Sequence, residues 1–402
     1  YISFYPDMTD KLSIFSSVNP QDTSFVYLTQ ENIIGYFQLG VTDMWEQESL
    51  GEPLRGSSFN TFRTIYENEQ ADQGISVVES SIDNQYLIAG ISSSFGNFGF
   101  DGFLTKVDND GQFIWLEVFG GINPESIHDF SETPDGGFLL IGSTESYGSS
   151  LKDILAVKFD QNGEQEWVNT YGGNDQDEGK AVYTREDGVS YIIGNTRSYG
   201  NGETDIWLII IDEQGNEISS FTYGSELNDY GVGIVSNDID ELVVISNEQI
   251  SGFSEQKIAA RKIDSEGLEL WHNFHQSQQL EASSEIVTDG GGYYYIIGST
   301  THGGQKDGLF LSLDENGNFV STNTFGGVYN DWFSDLIITV DGHLLVCGTS
   351  EESSYNSWIV KMDYNGNRLW SRNLGFDGMD YANGISQASD SGFLITGMVQ
   401  NQ

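Results

Sequence analysis

Cysteine is almost missing from this sequence: Cys347 is the one example in 402 residues. That excludes an internal disulfide framework and any metal centre built on cysteine pairs. Its apolar surroundings, Leu344-Leu345-Val346, mark it as a small buried side chain. Basic residues are also few, 16 against 61 acidic ones, for a formal net charge of −45. A surface of that sign repels nucleic-acid phosphates and anionic lipid head groups, so no nucleic-acid partner is expected. No run approaches the ~18 apolar residues that would span a bilayer as a helix, so no membrane span is expected. Apolar residues at 3.6 spacing are missing over any length, which argues against long helices. No Gly-x-Ser-x-Gly, His-Glu-x-x-His or phosphate-loop motif occurs. Of the five histidines only His272 and His275 are close, and a spacing of three puts them on opposite faces of a strand. No shared metal is expected there.

What is present is strand-and-turn chemistry. The chain holds 48 Gly, 24 Phe, 20 Tyr and 8 Trp, with only 5 Pro. Aromatic and β-branched residues stand in short runs divided by Gly, Asn and Asp. These runs repeat. An Asp-x-x-Gly turn recurs at Asp108, Asp160, Asp212, Asp264, Asp314 and Asp363, at intervals of 52, 52, 52, 50 and 49 residues. Four residues after the turn glycine comes Trp115, Trp167, Trp271 or Trp370, with Ser219 and Ser321 in the remaining copies. A third marker is an apolar strand closed by a small residue, at Gly90, Gly142, Gly194, Ser246, Gly298, Gly348 and Gly397; stepping back fifty residues from Gly90 reaches Gly40.

Each unit reads as four strands, A to D, and four-stranded units every 40–50 residues are the signature of propeller blades. The count gives an all-β, eight-bladed β-propeller of antiparallel blades in a single domain, 1–402. The blades fall near 19–70, 71–121, 122–173, 174–225, 226–276, 277–327, 328–376 and 377–402, the last completed by strands from 1–18. Closing the ring with both chain ends removes a free sheet edge. The first unit matches the consensus poorly, which leaves seven blades as the alternative.

The unit Gly-Gly-x-x-x-Asp…Asp-Gly-Gly-Phe-Leu-Leu-Ile-Gly-Ser-Thr…Asp-x-x-Leu-x-Lys-x-Asp-x-x-Gly-x-x-x-Trp resembles the bacterial seven-bladed (SBBP-type) propeller repeats. It is also similar to the quinoprotein-like repeat. The resemblance implies an exported bacterial protein at the cell surface, outer-membrane-associated as a lipoprotein or extracellular. It further implies a non-catalytic protein-binding or scaffold module, plausibly within an envelope complex. Quinoprotein dehydrogenases of this kind carry an adjacent Cys pair that this chain lacks, so no enzyme and no quinone cofactor are expected. The alternative is a carbohydrate-binding or carbohydrate-active propeller.

Two candidate sites stand out. Seventeen residues before each strand-B end lies a carboxylate, at Glu125, Asp177, Asp229, Glu281, Asp331 and Asp380, with Asp72 displaced by one. They would form a collar at one end of the ring for a cation or a basic partner segment, or else cap their own loops. The tryptophans at repeat positions read as packing between blades. Trp332 and Trp45 break the repeat and are the better candidates for a ligand surface, a glycan among them. Asp108-Asn109-Asp110-Gly111 resembles a fragment of a calcium loop but lacks the later Glu ligand. Calcium is thus a possibility, but a capped hairpin is the expectation and no cofactor is assigned.

Overall fold

The computed structural model describes residues 36–42, 63–67, 71–94, 99–148, 151–237, 241–250, 256–352, 354–374 and 378–401. Their strands form seven four-stranded antiparallel sheets. Six are blades of four consecutive strands, the first running from Asp72–Glu79 to Phe113–Phe119 and the sixth from Asp331–Ile338 to Arg368–Leu374. The remaining sheet is composite. Its order is Arg63–Glu67, Tyr36–Thr42, Phe393–Asn401, Gly378–Gln387.

The expectation of eight blades, with seven as its alternative, is therefore corrected to six contiguous blades plus one sheet spliced from both ends of the chain. The reason lies in strand pairing. Tyr36–Thr42, counted above as strand B of a separate first blade, pairs with Phe393–Asn401, with Gln38 opposite Gly397. A run of alternating apolar residues ending in glycine looks the same wherever it pairs, so stepping back fifty residues added a blade that does not exist. The splice itself uses 36–67; the 1–18 segment assigned to it lies outside the described residues.

Alternation and burial follow from the layering. Strands B and C are covered on both faces and read as continuous apolar runs, as in Phe138–Thr144 and Asp153–Phe159, where every residue is buried. Strand D, at the rim, is largely accessible. The core is a set of layers between blades. One layer joins Leu87, Leu104 and Phe119 of the first blade to Phe138, Leu140 and Phe159 of the second. The composite sheet packs on the sixth blade through Ile385 and Ile395 against Leu345 and Ile359. It packs on the first blade through Leu394 against Ile88 and Phe103. The ring is thereby closed, and each such fully buried side chain contributes about 1.5–3 kcal/mol.

The repeat markers now have causes. Asp108 Oδ1 accepts the N–H groups of Asp110 (3.0 Å) and Gln112 (2.7 Å), and its counterparts Asp160 to Asp363 do the same. The turn glycines take φ between 71° and 86° (Gly111, Gly163, Gly215, Gly267, Gly317, Gly366), a region where side chains are strained. Three of them also carry the previous blade's tryptophan: Trp115 lies over Gly163, Trp167 over Gly215 and Trp271 over Gly317. Trp167 Nε1 donates to the Glu213 carbonyl at 3.1 Å. The strand-C lysines are also repeat parts: Lys106, Lys158 and Lys361 pair with Asp83, Asp135 and Asp341 in the A–B turn of their own blade.

Candidate functional site at the channel mouth

The seven A strands stand side by side around the axis: Asp72–Glu79, Glu125–Glu132, Asp177–Thr184, Asp229–Ser236, Leu280–Thr288, Asp331–Ile338 and Gly378–Gln387. All seven carry a β-bulge at one point, between Gly74/Ser76, Ile127/Asp129, Gly179/Ala181, Gly231/Gly233, Ser283/Glu285, Phe333/Asp335 and Ala382/Gly384. A bulge adds one residue against its partner strand and re-aims the side chain. The bulged residues Ile75, His128, Lys180, Val232, Ser284, Ser334 and Asn383 all line one axial cavity of ≈ 620 Å³. The strand-B glycines exist for the same bulge: a Cβ on Gly142 would lie 1.8 Å from the Ser126 carbonyl oxygen, and one on Gly348 2.1 Å from that of Trp332.

The carboxylates read from the sequence as a collar occupy the first rung of these strands and are buried: Glu125, Asp177, Asp229, Glu281, Asp331 and Asp380. Asp72 belongs to the same rung, opposite Ser92, displaced in sequence because the turn after its strand is longer. They hold loop groups. Gly121, Gly173 and Gly327 donate backbone N–H to Glu125 (3.1 Å), Asp177 (2.8 Å) and Asp331 (2.8 Å). Glu281 meets His275 Nδ1 at 2.7 Å. Burial raises the Asp72 carboxyl above its ordinary value, against bonds from Ser92 and Ser94. Among the described residues no group of three or more His, Cys, Asp or Glu gathers as a metal site.

Chemistry that departs from the repeat begins one rung further in. The second rung carries Gln73, Ser126, Glu178, Tyr230, Ala282, Trp332 and Tyr381. On one side of the mouth, His128 Nε2 donates to Glu178 Oε1 at 2.9 Å, and Lys180 Nζ lies 3.1 Å from Glu178 Oε2. Lys152 Nζ approaches the same carboxylate at 3.7 Å, and Ser126 Oγ lies 3.3 Å from His128 Nε2. Burial would raise the Glu178 carboxyl, but the His128 bond and the two lysine charges overcome it and hold the group well below the usual range. Burial pushes His128 down, helped by the lysine charges and opposed by the Glu178 bond.

On the opposite side, in the sixth blade and the composite sheet, three aromatic rings meet. Trp332 is 5.7 Å from Tyr355 and 6.4 Å from Tyr381, and Tyr355 and Tyr381 are stacked at 5.6 Å. The Lys306 ammonium sits 5.5 Å over the Trp332 ring. Trp332, expected as part of a ligand surface, is half-buried in this cluster; Trp45 lies outside the described residues.

Below the mouth, Asp129, Glu285 and Asp335 follow the bulge in their blades and line the same cavity. Asp129 accepts N–H from Phe130 and from Val182 of the next blade, both at 2.8 Å. Asp335 likewise reaches Ile385 at 2.7 Å. Burial lifts Asp129 to about 7 and Asp335 to about 6, and it raises Glu285 well above the ordinary value with help from the other two charges. None of these residues, nor His128 and Lys180, was singled out from the sequence. Aligning the repeats on the buried first-rung carboxylate and reading the next, third and fourth positions would have shown all of them as one column each.

Neither a protein-family profile nor a curated protein matches the chain. The periplasmic gluconolactonase of Pseudomonas aeruginosa is similar in fold: TM-score 0.53, 10% identity, covering 85% of this chain and 97% of that one. A polysaccharide lyase described as an ulvan lyase, bound to a glucuronate–sulfated rhamnose unit, gives TM-score 0.52 and 10% identity over 83% and 95%. A protein of unknown function from Bacteroides caccae gives TM-score 0.46 and 14% identity over 72% and 93%. The expectation that no enzyme is to be found is corrected by these neighbours: the same architecture serves in a lactonase and a lyase. At such identity they establish no activity for this chain. What the sheets and the neighbours together show is a β-propeller built from repeats.

Proposed function

We propose that this propeller recognises a carbohydrate across the mouth of its axial channel. The observation that carries this is the Trp332–Tyr355–Tyr381 cluster, with Lys306 beside it; Trp332 and Tyr381 stand on the second rung, where the other blades hold Gln73, Ser126, Glu178, Tyr230 and Ala282. Stacked Trp and Tyr rings offer the flat apolar surface that suits the C–H face of a sugar ring. The fold does not need Trp332, because the other five blades and the composite sheet manage without a tryptophan at this rung. The cavity wall adds amides and hydroxyls that can meet sugar hydroxyls, among them Asn195, Asn247, Ser284 and Asn383. The solved lactonase and lyase, whose names specify sugar-derived substrates, support the reading as a fold-level analogy only. The exported setting implied by the repeat resemblance is one where such a ligand would be met.

The test is a glycan array followed by calorimetry on the best binder. Wild type is expected to bind and Trp332→Ala to lose about ten- to a hundredfold, the scale of one large aromatic contact. Full binding by Trp332→Ala and by Tyr381→Ala would place the site elsewhere and overturn the reading.

A further inference from the structure

We propose that the carbohydrate taken at this mouth is acidic, a uronate or a sulfated sugar, and that Lys152, Lys180 and Lys306 meet its anionic groups. This rests on the carbohydrate reading. It is carried by how the cations are distributed over the two ends of the ring.

At the end where strands A finish, every strand-C cation has a carboxylate of its own. Lys106 pairs with Asp83, Lys158 with Asp135 and Glu166, Lys262 with Glu241, and Lys361 with Asp341. Arg261 is held by Glu248 and Glu269. At the mouth the pattern is reversed. Lys152 and Lys180 share one carboxylate within ion-pair distance, that of Glu178. Lys306 has no carboxylate partner among the described residues and rests on the Trp332 ring. Lys257 and Arg197 are likewise answered there only by backbone carbonyls, of Ser277 and Gln279 and of Glu203. Among the described residues the other cations without an ion pair, Arg368 and Arg372, lie on the exposed rim strand of the sixth blade, so Lys306, Lys257 and Arg197 are the ones gathered at the mouth.

The overall charge of −45 does not cancel this. At physiological salt the Debye length is about 8 Å, so distant carboxylates are screened while contacts at the mouth are not. The two walls then divide the work. The aromatic side takes the sugar ring with Lys306 at its edge, and the Lys152–Lys180 side takes a second acidic group across the channel.

The experiment uses matched probes on the full chain: short oligogalacturonates against their methyl esters, and carrageenan oligosaccharides against desulfated ones. The expected result is binding of the acidic member of one pair about tenfold or more above its neutral counterpart, the size of a single charge-assisted contact. Which pair responds separates carboxylate from sulfate. Lys152→Gln/Lys180→Gln and Lys306→Gln should each shrink that ratio, while Glu178→Gln, which frees both lysines, should enlarge it. A merely structural role for Glu178 would not tighten binding. Equal or better binding of the neutral members, with Trp332→Ala still abolishing it, would overturn this inference and leave the carbohydrate reading standing. Failure of every saccharide to bind would remove both.

Discussion

Asp129 offers the sharpest physical test of the channel. Its carboxyl titrates at about 7 against an ordinary 3.8, chiefly through burial, with the Asp335 charge adding to it and the Val182 and Phe130 N–H groups opposing it. The folded state therefore binds this proton more tightly than the unfolded chain does. Stability from it is full below about pH 4 and is lost as pH rises through 7. About three pH units at about 1.4 kcal/mol each would give about 4 kcal/mol. Because the side chain borders channel water, about half of that is the better figure, so about 2 kcal/mol. Asp129→Asn removes the titration. It keeps an oxygen for one of the two N–H groups and loses the other bond, which costs about 1 kcal/mol. The variant should thus be about 1 kcal/mol less stable than wild type at pH 4 and about 1 kcal/mol more stable at pH 8. Urea denaturation followed by tryptophan fluorescence, at constant ionic strength, reads the difference. Groups away from the channel titrate in both proteins and cancel in the comparison, whereas Glu285, which feels the Asp129 charge, titrates lower in the variant and adds to the difference. Curves that stay parallel from pH 4 to 8 would show that Asp129 ionises normally and that the channel is wetter than its packing implies.

Other parts of the fold give further expectations. Arg261→Met leaves Glu248, which His272 and the guanidinium hold at about 2 against burial, without one of its two cationic partners, and should cost about 3 kcal/mol in a thermal or urea melt. Glu248 holds its proton less tightly folded than unfolded, so its contribution is present above the ordinary 4.5 and lost as pH falls toward 2; the variant should lack that acid limb. Gly163→Ala combines φ of 86° with a Cβ 2.8 Å from the Trp115 ring, and should lower stability by more than the roughly 1–2 kcal/mol of left-handed strain alone, with a matching change in Trp115 emission. Lys158→Met should cost about 1 kcal/mol or less by the same melts, because its partners Asp135 and Glu166 can return to water.

The sequence made the blade legible because strand, turn and packing requirements recur together. Asp108 and Gly111 cap and turn the hairpin, and Trp115 covers the next turn, so each marker predicts its neighbours. It did not make the ring legible. Whether Tyr36–Thr42 begins a blade or completes one depends on a partner more than 350 residues away, Phe393–Asn401, and strand periodicity carries no record of partner. The site was hidden for a related reason. His128, Glu178, Lys180 and Asp335 lie on three different A strands, and only the shared bulge brings them to one cavity. Trp332 alone was visible, because a tryptophan on a rung that elsewhere holds Gln, Ser or Ala is out of keeping with the repeat.

Net charge is the least transferable of the sequence-level readings. A value of −45 slows the approach of anions that sense the molecule from afar in low salt. It does not describe what a ligand meets at contact. The repeat consumes carboxylates in pairs of duties, as first-rung caps such as Asp177 and as turn partners such as Asp135. Those groups are locked to backbone or to lysine, and they contribute sign without reach. Lys152, Lys180 and Lys306, which the repeat does not use, are at the mouth, beside the rings that the repeat does not use either. A propeller conserves its blade by spending the same residues in every copy, so whatever is left over marks the surface on which function can vary.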